Sequence, residues 1–280
     1  MTDDLQLRCG PARSSGPGRT PLRTVFCTSG GVYGALVLRR LIESPDLEVC
    51  AVVRSSRVLN PRYGFIRGAV EQIRRSGLRY AAYLFVCTTL ADVLQRRDAG
   101  ARRVPVLVTR DLNDAAGLAF LRDCAPDLLV SAYFNQRLGE AVLGSARRAA
   151  INLHPSLLPD LKGVDPAFQA RLRGLPMGVT VHHMTPDLDA GHILVHRPVE
   201  VPPAASVFAA TALLFDAGAQ ALVSALPRLR AGDAGVAQPG TGSYQSWPTR
   251  AEVRALHDRG ATLMHPADFA ALRGAPRRRR

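Results

Sequence analysis

The sequence predicts an α/β fold in which a largely parallel sheet is flanked by helices. Short apolar runs rich in β-branched residues recur through the amino-terminal half of the chain, and segments with helical spacing of apolar residues lie between them. Strands that alternate with helices imply crossover connections, which join parallel strands of one sheet. Hydrophobic residues make up 47% of the 280 positions, so the chain can bury a sizeable core.

The first four strands are predicted from apolar runs before residue 133. They lie at 24–28, 47–53, 104–108 and 128–132, and helical spacing appears at 32–43 and 115–124. The crossover between the second and third strands is unusually long and predicts two helices, 65–76 and 79–96, with Gly77 as the break. The apolar face of this crossover is interpreted as core packing, with a partner surface as the alternative.

The pattern changes after residue 150. Strands are predicted at 150–153, 178–183 and 192–199, and helices at 206–229 and 250–260, with Ser206 as the cap of the first helix. We therefore divide the chain into a flexible leader at 1–21, one large domain at 22–230, an extension packed on that domain at 231–270, and a basic tail at 271–280.

The charge is strongly positive, with 36 basic and 23 acidic residues and a net charge of +13. Lys162 is the only lysine, and the densest basic run is the terminal Arg277–Arg280. We interpret this bias as a preference for arginine on solvated faces. A basic funnel for an anionic substrate or cofactor is the main alternative, and a nucleic-acid interface is another.

The cysteines and the amino terminus indicate the compartment. The five cysteines form no C-x-x-C pair, so we expect reduced thiols, no zinc site and a cytoplasmic protein. Residues 1–21 lack the apolar core of a signal peptide. The most apolar stretch, 81–91, is shorter than the ~20 residues that a bilayer requires, so no membrane partner is expected.

The residues that suggest chemistry lie between 151 and 193. Asn152 and His154 end a predicted strand, and their spacing of two places both side chains on one face. An amide beside an imidazole can hold an oxyanion, and the imidazole can also move a proton. Asp189 lies in a polar turn, where a carboxylate near the histidine would favour its protonated form and fix its orientation. On spacing alone, we favour a satisfied strand end for Asn152 and His154 and an ordinary turn for Asp189, with catalysis as the alternative.

The ordered combination of motifs is more specific. The runs NLHPSLLP at 152–159, KG at 162–163, GVTVH at 178–182 and LDAGHI at 188–193 together resemble the folate-dependent formyltransferase family. That family includes glycinamide ribonucleotide, methionyl-tRNA and sugar-nucleotide formyltransferases. Upstream, the run DLLVSAYFNQRL at 127–138 looks like the strand and loop that bind folate in the family. The resemblance covers about residues 22–230, which it identifies as a Rossmann-like catalytic domain.

The resemblance implies a role for each matching residue. Asn152, His154 and Asp189 match the catalytic residues. The co-substrate would be 10-formyltetrahydrofolate, with no metal, and the residues expected to bind it are Phe134, Asn135, Gln136, Arg137, Leu138, Ser156, Leu157, Leu158, Pro159 and Asp187. The loop ending at Leu138 is expected to hold the pterin through backbone groups. Two departures, Lys162 in place of arginine and the pair Asp165-Pro166, leave the acceptor open.

Three further features have two interpretations each. Gly30, Gly31 and Gly34 either cradle an acceptor phosphate or form a tight turn for helix packing. Lys162 is a further candidate for binding the acceptor. The histidines of the last strands are either metal ligands or ordinary strand residues, and we favour the second; they are His182, His183, His192 and His196. Tyr244 and Trp247 are expected to pack on the domain, with a role at the acceptor site as the alternative.

The sequence therefore predicts formyl transfer to the amine of a small molecule. The tRNA enzymes of the family add a β-rich carboxy-terminal domain, and residues 231–280 are too turn-rich for a complete barrel, although a tRNA acceptor is not excluded. A formyltetrahydrofolate hydrolase is a second alternative, although such enzymes usually carry a longer amino-terminal domain. A basic nucleic-acid-binding module is the non-enzyme alternative. The oligomeric state is left unassigned.

Overall fold

A computed structural model of the chain describes residues 20–57, 64–90 and 104–268. Nine strands lie in these ranges: β1 (Leu22–Thr28), β2 (Leu47–Ser55), β3 (Val106–Thr109), β4 (Leu128–Ala132), β5 (Ala149–His154), β6 (Lys162–Gly163), β7 (Gly178–His183), β8 (Ile193–Pro198) and β9 (Tyr244–Gln245).

Eight α-helices lie in the same ranges: α1 (Gly31–Glu43), α2 (Phe65–Ser76), α3 (Leu78–Phe85), α4 (Ala115–Cys124), α5 (Glu140–Leu143), α6 (Pro166–Arg173), α7 (Val207–Arg230) and α8 (Arg250–Asp258). Helix α3 continues into a π-helical turn at Val86–Leu90.

Seven of the strands form one sheet in the order β3-β2-β1-β4-β5-β7-β8. Strands β1 to β5 run parallel, and β7 and β8 add antiparallel strands at one edge. The strand order reverses between β1 and β4. In open α/β sheets such a reversal opens a crevice at the carboxyl ends of the strands, where ligands bind. The predicted fold class is confirmed.

The central strands are buried on both faces because helices cover both sides of the sheet. Alternate residues of β1 enter different cores: Phe26 packs with α1 and α7, whereas Val25 and Cys27 pack with α4. Every residue of β4 is buried. This continuous burial explains why the central strands appear in the sequence as unbroken apolar runs.

Helix α7 is the longest element, with 24 residues. Among the described residues, α7 is the one helix that is long and apolar enough to cross a membrane, judged by length and composition only. Thirteen of its residues are buried, and it packs against α1, β5 and β7. Ser206 caps it by accepting a hydrogen bond from the Ala209 amide at 3.0 Å, as predicted. This packing is that of a core helix, which the sequence search for long apolar stretches overlooked.

Most predicted elements are confirmed, several with the same bounds, and Gly77 does separate α2 from α3. The helix predicted at 79–96 is wrong in extent, because α3 ends at Phe85 and gives way to the π-helical turn; residues 91–96 lie outside the described residues. Helix α6 was not predicted, although Asp165 caps it and Pro166 occupies its first turn. Most of the predicted leader and the whole of the basic tail also lie outside the described residues.

The residues that follow α7 return across the domain. Strand β9 pairs with β6, close to the segment that carries the sequence motifs, and α8 contacts α2 and α6. A capping box begins α8, in which Thr249 and Glu252 satisfy each other's backbone amides. Trp247 packs against the main core, whereas Tyr244 is mostly exposed.

Candidate active site

The candidate site lies at the carboxyl end of β5, beside the reversal in strand order. Asn152 and His154 lie on β5 and share one face, as their spacing predicts. In the antiparallel pairing with β7, Asn152 lies opposite His182 and His154 opposite Thr180. The sheet thus places one amide and two imidazole rings at adjacent strand ends.

Asp189 is the group on which these side chains converge. Its Oδ1 lies 3.4 Å from Asn152 Nδ2 and 3.5 Å from His154 Nδ1. Its Oδ2 accepts a hydrogen bond from the Gly163 amide at 2.8 Å. The side chains of His154 and Asp189 are only 6% and 10% exposed. The structure therefore brings together the three residues that the sequence predicted as catalytic.

The charge of Asp189 is stabilised by its surroundings. Burial alone would raise the pKa of this carboxyl group. His154, His182 and the Gly163 N–H outweigh burial, so the pKa of Asp189 lies well below its usual value. The site therefore holds a buried carboxylate that is ionised at neutral pH.

Both nitrogens of the His154 ring face acceptors. Nε2 lies 3.0 Å from the Leu161 carbonyl oxygen, which can only accept, so this nitrogen carries a proton. Nδ1 faces the Asp189 carboxylate. A ring protonated on both nitrogens would satisfy both contacts, and the contact with Leu161 is one that sequence reasoning did not foresee.

His182 is a site residue that the sequence analysis missed. Its Nδ1 donates to its neighbour's carbonyl, His183 O, at 2.7 Å. In a neutral ring Nε2 is then an acceptor for Asn152 Nδ2, which is 3.1 Å away; in a protonated ring it faces Asp189 Oδ1 at 3.8 Å. His182 thus orients the Asn152 amide. Only the register between β5 and β7 reveals this role, and a single sequence does not show that register.

The loop predicted to hold folate, residues 134–138, is fixed by its own side chains. Gln136 is buried; its Oε1 accepts from the Leu112 amide at 2.8 Å and its Nε2 donates to Ser55 Oγ at 2.9 Å. Leu138 is buried in the core with α4, and Phe134 packs against the same core. These three side chains face inward, whereas those of Asn135 and Arg137 are exposed. Binding of the pterin through backbone groups of this loop stays a prediction.

The loop and the Asp189 turn touch across the site. Arg137 donates to the Pro186 carbonyl at 3.0 Å and lies 3.5 Å from Asp187 Oδ1. On the other side of the loop, Asn135 Nδ2 donates to the Arg57 carbonyl at 3.0 Å. The residues predicted to flank the co-substrate are therefore close to one another.

The segment Ser156–Pro159 is pinned to β7 behind His154. Thr180 Oγ1 donates to the Ser156 carbonyl at 2.7 Å and accepts from the Leu158 amide at 3.1 Å. Ser156 Oγ donates to the Asp160 carbonyl at 2.9 Å. Leu157 packs over Gly178, and the Leu158–Pro159 peptide is cis. This segment forms a fixed wall of the site.

A sequence model of the formyl transferase family matches residues 69–226, more than half of the chain. The chain belongs to the formyl transferase family. Among curated relatives, the methionyl-tRNA formyltransferase of Chloroflexus aggregans is 38% identical over 134 residues, which cover 48% of this chain and 43% of that protein. That of Thermotoga maritima is 32% identical over 136 residues, covering 48% and 44%. The match thus spans less than half the length of these relatives.

Solved structures share the fold of this family member. A phosphoribosylglycinamide formyltransferase from Anaplasma phagocytophilum superposes with a TM-score of 0.53 and 22% identity, covering 81% of this chain and all of that one. A sugar N-formyltransferase from a Shewanella species superposes with a TM-score of 0.54 and 15% identity, covering 80% and 76%. At these identities the likeness shows the formyltransferase fold alone.

The glycines at the start of α1 serve packing in this family member. Gly31 is buried with φ of 72°, and a Cβ at this position would overlap the Cys87 carbonyl oxygen in the π-helical turn. The turn covers the amino terminus of α1, and Gly30 is buried beside it. Of the two interpretations of Gly30 and Gly31, the structure favours a tight turn for helix packing. Lys162 lies elsewhere, in β6 opposite Tyr244.

Gly31→Ala is therefore expected to destabilise the protein by about 2–4 kcal/mol, through left-handed strain and overlap with backbone. Urea unfolding followed by circular dichroism measures the change. Gly64→Ala is the matched control, because a Cβ there meets open space, and it should shift stability by less than about 1 kcal/mol. Equal stabilities of the two variants would contradict the packing role.

The remaining histidines in and beside β7 and β8 lie apart from the candidate site residues. His183 Nε2 donates to the Asp233 carbonyl at 2.8 Å, and His192 Nδ1 lies 3.2 Å from the Ala234 carbonyl. His196 is exposed. Among the described residues no three His, Cys, Asp or Glu side chains form a group that could hold a metal ion. The structure places these histidines as ordinary strand and turn residues.

Proposed function

We propose that this protein transfers the formyl group of 10-formyltetrahydrofolate to the amine of a small-molecule acceptor. The observation that carries the proposal is the convergence of Asn152, His154 and the Gly163 amide on the buried Asp189 carboxylate. Membership of the formyl transferase family supports the reaction class.

The site has groups suited to a folate co-substrate. We expect the loop 134–138 to bind the co-substrate through backbone groups, because the side chains of Gln136 and Leu138 face the protein interior. The segment Ser156–Pro159 follows His154 and is held by Thr180, and Asp187 precedes Asp189 in its turn, so both adjoin candidate catalytic residues. When bound, the co-substrate supplies a formyl carbon attached to a nitrogen that can leave.

His154 and Asn152 stabilise the negative charge that develops on the formyl oxygen when an amine attacks. Each is a donor at the end of a rigid strand, and the loss of one such donor typically costs a factor of about 10²–10³ in kcat. His154 must exchange its contact with the Leu161 carbonyl for the oxyanion. His182 keeps the Asn152 amide in place.

Asp189 holds the imidazole and assists proton movement. As the new carbon–nitrogen bond forms and the old one breaks, a proton passes from the acceptor amine to the departing nitrogen. A carboxylate 3.5 Å from His154 stabilises positive charge on the ring during that transfer. Positioned acid–base groups of this kind contribute about 10²–10⁴ to the rate. Burial of the pair limits competing attack by water.

A small acceptor is favoured by the path of residues 231–268. They fold back on the domain, where β9 pairs with β6 and α8 packs on α2 and α6. Tyr244 and Lys162 lie side by side on the paired strands β9 and β6, next to Gly163, whose amide binds Asp189. Tyr244 is mostly exposed and Lys162 is cationic, so this pair would suit a compact amine that carries a planar or an anionic group.

Methionyl-tRNA is a second candidate acceptor. Two observations favour it: the curated relatives above are methionyl-tRNA formyltransferases, and the net charge is +13. Phosphate contacts would make such binding strongly dependent on salt, whereas a small acceptor would show a shallow dependence.

The test incubates the protein with 10-formyltetrahydrofolate and a panel of amines that includes sugar-nucleotide amines, amino acids and methionyl-tRNA. Mass spectrometry follows the formylated product, and absorbance follows release of tetrahydrofolate. His154→Ala is expected to lower turnover by about 10²–10⁴. His196→Ala is the matched control, because this histidine is exposed on β8, and it should retain wild-type turnover.

Each outcome decides between functions. A formylated small amine, lost only in His154→Ala, supports the proposal and names the acceptor. Preferential formylation of methionyl-tRNA supports the second candidate. Release of formate without a formylated amine identifies a hydrolase. If the protein does not bind 10-formyltetrahydrofolate, the proposed formyl transfer is wrong.

A further inference from the structure

Residues 233–245, which we call the strap, lie beyond the segment that the family model matches and cross the candidate active site. They connect α7 to the small sheet formed by β6 and β9. The strap touches both of the segments that surround Asp189: the turn that carries this residue and the pair Lys162–Gly163. These contacts place the strap at the candidate active site.

The first end of the strap is anchored to the strands on either side of the Asp189 turn. Val236 and Ile193 exchange two backbone hydrogen bonds of 2.9 and 2.7 Å. His183 Nε2 donates to the Asp233 carbonyl at 2.8 Å. These contacts attach the strap to the end of β7 and the start of β8.

The second end of the strap is anchored to β6. The Lys162 amide donates to the Ser243 carbonyl at 2.9 Å, and the Val164 amide donates to the Gln245 carbonyl at 2.9 Å. Gly163 has φ of 95°, and a Cβ on it would lie 2.8 Å from the Tyr244 ring. The strap therefore holds the backbone amide that donates to Asp189 Oδ2.

Gln238 lies between these anchors and binds the Asp189 turn directly. Its Nε2 donates to the Asp189 carbonyl at 2.9 Å and to the Gly191 carbonyl at 2.9 Å. Because both partners are carbonyls, the network fixes which end of the amide faces the turn. Its Oε1 is buried and has no hydrogen-bond partner among the described residues. Burying such an acceptor costs about 1–3 kcal/mol, so stability alone does not explain the arrangement.

The turn needs this support because Asp189 adopts a disfavoured conformation. Its φ is 52°, in the left-handed region, which costs a residue with a Cβ about 1–2 kcal/mol. That conformation directs the carboxylate towards Asn152, His154 and Gly163. The Gln238 side-chain amide donates to the carbonyl oxygens of Asp189 and Gly191, and these two hydrogen bonds hold the turn that contains the strained residue.

We propose that Gln238 is a positioning residue that holds the Asp189 carboxylate in its catalytic orientation, and that the strap is part of the active site. This inference rests on the proposed function, since it concerns the same carboxylate. Without the two donors, the turn can relax from its left-handed conformation and withdraw the carboxylate from His154.

The kinetic test compares Gln238→Met, which removes both donors at similar volume, with Gln220→Met. Gln220 lies on α7, where its amide binds Asp216 on the surface, so its replacement is a matched control. Gln238→Met is expected to lower kcat about 10²-fold with KM values within about twofold of the wild type, because a small misplacement of a catalytic group costs this much. Equal kcat values for the two variants would overturn the proposal.

Two additional readouts distinguish positioning from a general loss of structure. Gln238→Glu keeps the size of the side chain but donates only when protonated, so its activity relative to the wild type should rise as the pH falls from 8 to about 5.5. A constant ratio would count against Gln238 as a donor. This variant also serves if the methionine variant does not fold.

The second readout does not depend on turnover. Ring nitrogen NMR signals of His154 and His182, recorded on the full chain labelled with ¹⁵N-histidine, should shift in Gln238→Met and stay unchanged in Gln220→Met. If the wild type transfers no formyl group, the proposed function fails, yet a shift still supports the positioning role. Unchanged signals overturn it whatever the activity.

Discussion

Replacing Asp189 with asparagine is expected to lower kcat by about 10²–10⁴ while the protein stays folded. Asparagine has the same shape but no charge, and it offers one acceptor oxygen where the carboxylate offers two. The Gly163 amide and Asn152 Nδ2 both donate to the carboxylate, so one of them loses its acceptor. His154 Nδ1 can accept from the new amide nitrogen only when its ring is neutral. The variant therefore loses the carboxylate that orients the imidazole and stabilises its positive charge. Steady-state turnover with the acceptor found in the amine panel measures the effect.

Asp123→Asn is the matched control for this prediction. Asp123 is exposed on α4, outside the proposed active site. Its replacement should change kcat by less than about threefold, because surface substitutions of this kind rarely disturb the fold. If Asp189→Asn retained more than a tenth of wild-type turnover, Asp189 would not be part of the reaction.

The pH dependence of stability gives Asp189 a second signature. Because its pKa is depressed in the folded protein, its ionisation stabilises the fold above the unfolded value of about 3.9, and this contribution is lost as the pH falls. The difference in unfolding free energy between the wild type and Asp189→Asn should therefore be largest near neutral pH and shrink below about pH 4. Chemical unfolding at a series of pH values measures it.

The sequence could predict the part of the site that depends on local geometry. Asn152 and His154 share a face because they are two apart on one strand, and no tertiary information is needed for that inference. Asp189 is 35 positions beyond His154, and its arrival beside the ring depends on the β7–β8 hairpin. Only the resemblance to the formyltransferases could place it in advance.

The residues that the sequence analysis missed depend on registers that no local pattern reports. His182 reaches Asn152 through the antiparallel pairing of β5 with β7. Gln238 reaches the Asp189 turn because the strap crosses the end of the sheet. In the sequence, the strap is only a turn-rich stretch after a long helix. A segment with few apolar residues can still be fixed by backbone pairing at both ends, and this is why composition alone did not assign it to the site.

Asp165 was noted in the sequence as a departure from the family pattern, but no local pattern could predict the surroundings of its carboxyl group. The carboxyl group accepts from the Tyr80 hydroxyl at 2.8 Å and from the Phe168 amide at 3.4 Å, where it caps α6. It lies two residues from Gly163, whose amide binds Asp189. A partly buried carboxyl group that has no cationic partner among the described residues is costly to ionise.

Asp165→Asn is expected to stabilise the protein by about 3 kcal/mol above pH 7. Burial raises the pKa of Asp165 to about 6, and the hydrogen bonds from Tyr80 and Phe168 offset only part of that rise. Because the folded pKa exceeds the unfolded value, the wild type loses stability as the pH rises from about 4 and levels off above the folded pKa. Asparagine carries no charge, and it tolerates the left-handed conformation of this position, where φ is 47°.

Urea unfolding of the wild type and Asp165→Asn between pH 4 and 8 tests this expectation. The two curves should coincide near pH 4 and separate as the pH approaches 7. Tyr80→Phe should act in the opposite direction at pH 8, because it removes the hydroxyl that stabilises the carboxylate. If the difference in unfolding free energy between the two proteins stayed constant from pH 4 to 8, the pKa of Asp165 would not be raised in the folded protein. A gain in stability, by contrast, would mean that this chain carries a destabilising acid beside the candidate active site, which is the pattern expected when a residue serves function at the expense of stability.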